Sequence, residues 1–187
     1  MAKLYGLSNY IITEMAVKLM THSEFSKFVY YKDINEDGES ILDMPDLESP
    51  IEELTKKDTR QVFLHRRPDK ILHRQDVNVF IHFDDQKNYK TKNRSLKTVY
   101  IKIGLLLHEN CLYTPNGGRD VCILSAIEDA LDGEKFVRGL GVCEIERINP
   151  LYGIPVEYSG FEVLCRIDGF TDIKTPILEI PEEDSNE

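Results

Sequence analysis

The sequence predicts an α+β fold: a mostly antiparallel sheet, two main helices packed on it and a long extended hairpin arm. Two observations predict it. Apolar residues recur at helical spacing in two segments and alternate in several others, as they do in half-buried strands. The strand-type segments also follow one another instead of alternating with helices, which argues against a doubly wound sheet. We expect a single domain over residues 1–170 and an acidic tail over 171–187.

The first helix is predicted from about Asn9 to Met20, with Ser8 as a possible N-cap. Its apolar residues fall on one helical face, and they are Ile12, Met15, Ala16 and Leu19. The next segment, FSKFVYY at residues 25–31, could continue this helix or form a short strand.

A long acidic loop is predicted over residues 33–58. The stretch from Asp33 to Glu53 contains nine carboxylates, two prolines and no basic residue, so we expect it to lie outside the core.

The beginning of this loop resembles the first half of a calcium-binding loop. Asp33, Asn35 and Asp37 alternate before Gly38, but Met44 stands where a bidentate glutamate would be needed. We therefore favour a solvated acidic loop, with a calcium site as the alternative.

Strands are predicted at 61–65, 77–83 and 98–108. One face of the second strand carries Val77, Val79, Ile81 and Phe83. In the third strand, alternation separates an apolar face from a polar one; the apolar face has Val99, Ile101, Ile103, Leu105 and Leu107, and the polar face Thr98, Tyr100, Lys102 and His108.

The segment joining the last two of these strands, residues 84–97, is too long and polar for a tight turn. It is rich in basic residues: Lys87, Lys90, Lys92, Arg94 and Lys97. It is either a solvated hairpin tip or an arm that docks on an acidic neighbour.

The second main helix is predicted to begin after the turn TPNGG, in RDVCILSAIEDAL, with Asp120 in its first turn and Gly133 just beyond its end. A pair of strands closes the domain. Phe161, Val163 and Ile167 of the last strand should pack, with Ile101, Ile103 and Leu105, against one helix face formed by Ile123, Leu124, Ile127 and Leu131.

Composition limits the function classes. The formal net charge is −10, which argues against general phosphate binding because a nucleic-acid binder needs a basic face. No apolar run is long enough to cross a bilayer, and the first residues lack a signal peptide's apolar core. Four widely spaced cysteines without a CxxC pair indicate reduced, mostly buried thiols in a cytosolic protein.

The sequence contains no set of residues that predicts a catalytic, cofactor or metal site. Cys122 lies near a helix start but within an apolar run, so we interpret it as a packed thiol. The histidines show no metal-ligand spacing, and we expect them at the surface or at strand edges. We predict that the protein is not an enzyme; the remaining possibility is a nuclease using acidic residues and a metal.

The element order resembles that of tail-terminator and tail-completion proteins from the neck of tailed bacteriophages. The resemblance covers roughly residues 60–170 and rests on the strand pair VNVFIHF and TVYIKIGLLLH, the helix after NGG, and the closing hairpin that ends in YSGFEVLCRIDGF. It implies a virion protein, assembled in the host cytoplasm, that forms a ring of usually six copies. Such a ring caps the tail tube and joins it to the head connector, while DNA passes through its lumen.

Within such a ring, oppositely charged segments of neighbouring copies are candidates for the subunit interface. On the basic arm these residues are Lys87, Tyr89, Lys90, Lys92 and Arg94, and on the acidic loop they are Asp33, Asp37, Asp43 and Asp46. The alternative from another class is a small acidic regulatory protein that mimics DNA and binds one host partner. That alternative does not require the basic arm.

Overall fold

The computed structural model describes residues 2–31, 40–66, 75–88, 97–115, 117–137 and 140–170. Within these ranges the α-helices are Ala2–Thr21 (α1), Ser23–Tyr30 (α2), Pro50–Thr55 (α3) and Arg119–Leu131 (α4). Short 3-10 turns lie at Ile41–Asp43 and Glu109–Cys111.

One five-stranded sheet supports the fold, in the order β1-β2-β3-β7-β6. Its strands are Val62–Phe63 (β1), Val77–Asn88 (β2), Lys97–His108 (β3), Cys143–Pro150 (β6) and Tyr158–Phe170 (β7). A separate two-stranded ribbon joins Tyr113–Thr114 (β4) to Gly117–Gly118 (β5). Only β1 and β2 pair in parallel within the large sheet, so the predicted α+β class with a mostly antiparallel sheet is confirmed.

The last strand inserts between two earlier ones. β7 pairs with β3 on one side and with β6 on the other, in both cases antiparallel. The chain therefore leaves β3, crosses the sheet through α4 to the edge strand β6, and returns to the gap between them. This insertion brings the polar faces of β3 and β7 together.

The core lies between one sheet face and the helices, as predicted. The five apolar residues of β3 have 0% exposure, and α4 covers them with buried Ile123, Ile127 and Leu131 and partly buried Leu124. Val163 and Ile167 of β7 are also buried, while Phe161 is only half-buried. Phe161 pairs with exposed Pro150 on the edge strand, so that end of the core is open on one side.

The helical layer is larger than the two helices predicted. α1 begins at Ala2, so Ser8 lies inside the helix and is not its N-cap; extending an existing helix by two turns costs far less than starting one. Residues 25–30 belong to a separate helix, α2, which buries Phe25, Phe28 and Val29.

The N-cap of α2 is His22, which also joins α2 to α4. The backbone N–H of Phe25 donates to His22 Nδ1 at 3.4 Å, and His22 Nε2 lies 3.0 Å from Asp129 Oδ2. Both ring nitrogens are therefore engaged where the two helices meet.

The prediction of a loop over 33–58 is wrong in its second half. Ile41–Asp43 forms a 3-10 turn and Pro50–Thr55 forms α3, with Ile41 and Leu54 at 0% exposure in the main core. These two apolar residues, placed between carboxylates, anchor the segment in the core. Residues 32–39, with the calcium-like residues, lie outside the described part of the chain.

The prediction of an arm over residues 84–97 also placed the end of the strand pair too early. β2 and β3 remain paired beyond Phe83, up to the rung between Asn88 and Lys97, so residues 84–88 are strand. An irregularity between Phe83 and Asp85 marks the transition. Residues 89–96 of the arm lie outside the description.

Candidate functional site

The acidic segment from Ser40 to Thr55, here called the acidic belt, is fastened to α2 by hydrogen bonds. Ser23 Oγ donates to Asp46 Oδ1 at 2.5 Å, and Lys27 Nζ lies 2.9 Å from the same oxygen. Lys27 Nζ also donates to the Leu42 carbonyl at 3.0 Å, and the Tyr31 hydroxyl donates to the Pro45 carbonyl at 3.0 Å. The belt is therefore a fixed acidic surface on the helical layer.

Two side chains of this surface have shifted pKa values. The hydrogen bond from Ser23, followed by Lys27, holds the pKa of the Asp46 carboxyl below its usual value of 3.8. Because the folded pKa is depressed, these bonds stabilise the belt above that usual value and are lost as pH falls through the lower folded pKa. The hydrogen bond to Glu53 raises the pKa of the Tyr30 hydroxyl above its usual value of 10.0.

The described structure places few of the predicted interface residues. Asp43 and Asp46 lie together on the belt, both exposed, although Asp46 is engaged by Ser23 and Lys27 within its own chain. Lys87 lies on β2, where its Cα pairs with that of Thr98. The remaining predicted residues lie outside the described ranges: Asp33, Asp37, Tyr89, Lys90, Lys92 and Arg94.

The sheet face opposite the helices carries an ion-pair cluster that the sequence did not predict. Lys102 Nζ on β3 lies 3.2 Å from Asp84 Oδ1 on β2 and 3.1 Å from Glu162 Oε1 on β7. Burial opposes the charge on this lysine, but the two hydrogen bonds outweigh burial and raise the pKa of Lys102 above its usual value. Lys102 therefore ties three strands together while carrying its full charge.

A second polar group lies beside this cluster, toward the arm. Arg166 contacts the Asp168 carboxylate, and its Nη1 lies 3.8 Å from Glu144 Oε2 on the edge strand. The Thr98 hydroxyl donates to Asp168 Oδ1 at 2.6 Å. Alternation had assigned Thr98 and Lys102 to the polar face of their strand. Their pairing with residues of the last strand depends on β7 lying between β3 and β6.

The other end of this sheet face is apolar. The rings of Phe63 and Phe80 stack at 5.2 Å between centroids, above buried Leu106, and Ile154 and Tyr158 pack against them. Tyr158 also makes an edge contact with His108, at 5.1 Å between ring centroids. His108 is buried, so the expectation of surface or strand-edge histidines is wrong there; it accepts the Asn110 backbone N–H through Nδ1.

Two of the described thiols have raised pKa values. Burial raises the pKa of Cys122, as expected for a thiol within an apolar run. A hydrogen bond with Cys143, together with burial, raises the pKa of Cys165 well above its usual value. Among the residues placed by the structure, no group of three or more His, Cys, Asp or Glu side chains could hold a metal ion. None of the described helices has the length and apolarity of a membrane span.

Comparison with known proteins identifies a family. The family model YomW matches residues 22–167, well over half of the chain, and the chain therefore belongs to the YomW family. No curated protein matches the sequence.

Among solved structures, the chain is similar to one from a "virion of native gene transfer agent (GTA) particle". The two share 13% sequence identity, and the match covers 62% of this chain and 83% of the other, with a TM-score of 0.40.

Proposed function

We propose that the protein is a structural component of a tailed-phage virion, located in the neck. It forms a ring, six-fold by resemblance, that caps the tail tube and joins it to the head connector. The observation that carries this proposal is the fixed acidic belt, taken together with a segment that is basic in sequence on the same chain. The acidic belt is fixed to α2, whereas the last rung of β2 and β3 leads into a segment with Lys90, Lys92 and Arg94.

Two unlike surfaces are what a ring of identical subunits requires. In a head-to-tail contact, one surface of each copy binds a different surface of the next, and the ring closes when the rotation between copies divides a full turn. The belt and the arm differ in charge and lie on different elements, so they are suited to such a contact.

The overall charge also suits a ring through which DNA passes. Cationic side chains repeated around a lumen would bind phosphates and release counterions, which would hold the genome in place. A net charge of −10 on each copy opposes such holding. DNA is therefore a transient occupant of the lumen.

In this proposal, the arm of one copy faces carboxylates of a neighbouring subunit or ring. Asp43 and Asp46 are exposed on the belt, with 72% of the Asp46 side chain accessible despite its internal bonds. Asp33 and Asp37 add charge to the same segment of sequence. Each exposed pair contributes only about 0–1 kcal/mol, so the contacts act through repetition and are sensitive to salt.

The experiment replaces Lys87, Lys90, Lys92 and Arg94 with serine. We expect a nearly unchanged melting temperature, a smaller ring fraction in sedimentation velocity and less tail attachment, because these side chains act between copies.

A matched control removes four cationic side chains from exposed positions elsewhere: Lys56, Lys57, Lys135 and Arg147. It should assemble like the unmodified protein. If the arm variant still gives particles with tails of normal length and joined heads, the arm is only a solvated loop.

A small acidic regulatory protein is the second candidate. The exposed carboxylates of the belt favour it, because a DNA mimic presents such a surface to its partner. A mimic would be a monomer or dimer and would not need the arm, so assembly size separates the two candidates.

A further inference from the structure

The loop between β6 and β7, residues 151–157, presents two apolar side chains to solvent. Tyr152 is 85% exposed and Val156 is 99% exposed, whereas Ile154 between them packs on the apolar end of the sheet. Exposed apolar side chains on a fixed loop are characteristic of contact sites.

This loop is held firmly at its base. The Leu151 N–H donates to the Gly160 carbonyl at 2.8 Å, and the Tyr158 N–H donates to the Pro155 carbonyl at 3.0 Å. The Glu109 N–H donates to the Glu157 carbonyl at 2.7 Å. The loop therefore contains one acidic residue, Glu157, and a second one, Glu109, lies beside it. A Cβ at Gly160 would lie 2.6 Å from the Leu105 carbonyl, so only glycine permits this approach.

The edge strand beside the loop is poorly suited to accepting another strand. The outward N–H and C=O of Cys143 already bond to Glu134 and Gly133, and the N–H of Ile145 donates to Asp132 Oδ1 at 2.9 Å. The pairing is irregular between Ile145 and Arg147, and Pro150 has no N–H. At this edge of the sheet, the loop is therefore better suited than the strand to contact another copy.

A complementary surface lies at the opposite edge of the sheet, where β1 runs antiparallel to β6. Val62 of β1 pairs with Val79, Val79 with Leu105, Leu105 with Phe161, and Phe161 with Pro150. The two edges are four strand spacings apart on this row, roughly 19 Å. The loop follows Pro150, and the turn Leu64–Arg66 follows β1.

The turn and the loop carry complementary side chains. Leu64 is 48% exposed and precedes exposed His65 and Arg66, while the loop pairs its apolar residues with exposed Glu157 and adjacent Glu109. Two identical loops would bring like charges together. One loop and one turn join apolar to apolar and acidic to basic.

We propose that the 151–157 loop of one copy docks on the Leu64–Arg66 turn of a second copy. The loop and the turn lie at opposite edges and leave the shared row in opposite directions along the strands. Their contact is therefore head-to-tail between unlike surfaces, which is the kind of contact that a ring of identical copies requires. The inference rests on the proposed ring and adds a contact separate from the arm and belt. A tyrosine and a valine offer far less than the roughly 800 Å² per partner of a stable dimer, so the contact acts by repetition.

The test uses two full-length variants and sedimentation velocity over a concentration series. The loop variant is Tyr152→Ser with Val156→Ser, and the turn variant is Leu64→Ser with Arg66→Glu. Each should raise the concentration needed for half-assembly by about tenfold or more. The control Val121→Ser removes another exposed valine, on α4, and should change nothing.

Mixing the two variants separates a head-to-tail contact from other geometries. Each variant retains one intact half of the contact. An equimolar mixture should therefore form heterodimers at concentrations where each variant alone stays monomeric. Unchanged melting temperatures show that each variant folds, since all four side chains are at least partly exposed.

The outcomes test the loop–turn contact separately from the proposed ring. Rings that form equally well with both variants overturn the contact but leave the proposed function standing. Loop-dependent association that stops at dimers supports the contact and contradicts the ring. An unmodified protein that stays monomeric throughout the series overturns both.

Discussion

Replacing Lys102 with methionine should destabilise the protein because it leaves two carboxylates facing each other. The distances of 3.2 and 3.1 Å from Lys102 Nζ to Asp84 and Glu162 place their oxygens within about 6 Å of each other. At an effective dielectric constant near 20, two like charges at that distance repel by about 3 kcal/mol.

The expected loss is smaller than this repulsion. The three side chains are 22%, 30% and 25% exposed, so water and small movements relieve part of it. We expect Lys102→Met to lower the free energy of unfolding by about 1–3 kcal/mol, which is roughly 2–12 °C in melting temperature for a chain of this size.

The assay is thermal unfolding followed by circular dichroism at neutral pH. A triple variant, Lys102→Met with Asp84→Asn and Glu162→Gln, should recover much of the loss, because no carboxylate is then left without its cation. Lys56→Met removes an exposed lysine and serves as the control. A Lys102→Met melt equal to that of the unmodified protein, or a triple variant as unstable as the single one, would refute the reasoning.

The pH dependence gives a second readout of the same group. Because the folded pKa of Lys102 is raised, its stabilising contribution is fully present below the usual lysine pKa of 10.5 and is lost as pH rises through the folded value. The stability difference between Lys102→Met and the unmodified protein should therefore shrink at strongly alkaline pH.

Two further predictions concern the core and the absence of catalysis. Ile103→Ala should cost on the order of 2–5 kcal/mol in denaturant unfolding, because Ile103 has 0% exposure beneath the helices; an unchanged midpoint would mean that the sheet faces are reversed. The purified protein should show no metal-dependent nuclease or hydrolase activity in assays with Mg²⁺, Mn²⁺ or Ca²⁺. Activity that disappears in Asp37→Ala would contradict a structural role.

Local patterns predicted much of the fold correctly. Strict alternation in Val99–Leu107 fixed which face of β3 is buried, and helical spacing in residues 119–131 fixed the inner face of α4. Gly133, predicted just beyond α4, has a φ of 77°, a conformation that glycine adopts without strain.

The features that the sequence did not predict depend on contacts between residues distant in sequence. The acidic belt looked like a loop because residues 33–53 contain nine carboxylates, two prolines and no basic residue. Ile41 and Leu54 nevertheless reach the core, and Lys27 holds Asp46 and the Leu42 carbonyl. The composition of a segment describes its average polarity, whereas a few well-placed side chains are sufficient to attach it to the rest of the fold.

The ion pairs of the open sheet face were missed for a topological reason. Lys102 and Glu162 lie on strands separated in sequence by α4 and β6, and they meet only because β7 inserts next to β3. Alternation specifies the face of a residue but not its neighbour across the strand pair. The sequence did not predict that the 151–157 loop and the Leu64–Arg66 turn lie at the two sheet edges, and the reason is the same.

The central claim is that copies of this chain form a closed ring, and negative-stain electron microscopy of the purified full-length protein tests it most directly. The account predicts ring-shaped particles, six-fold by resemblance, with a central opening wide enough for duplex DNA, in increasing number at higher protein concentration and lower salt. Monomers or dimers at every concentration and salt condition would contradict the account and favour an acidic regulatory protein.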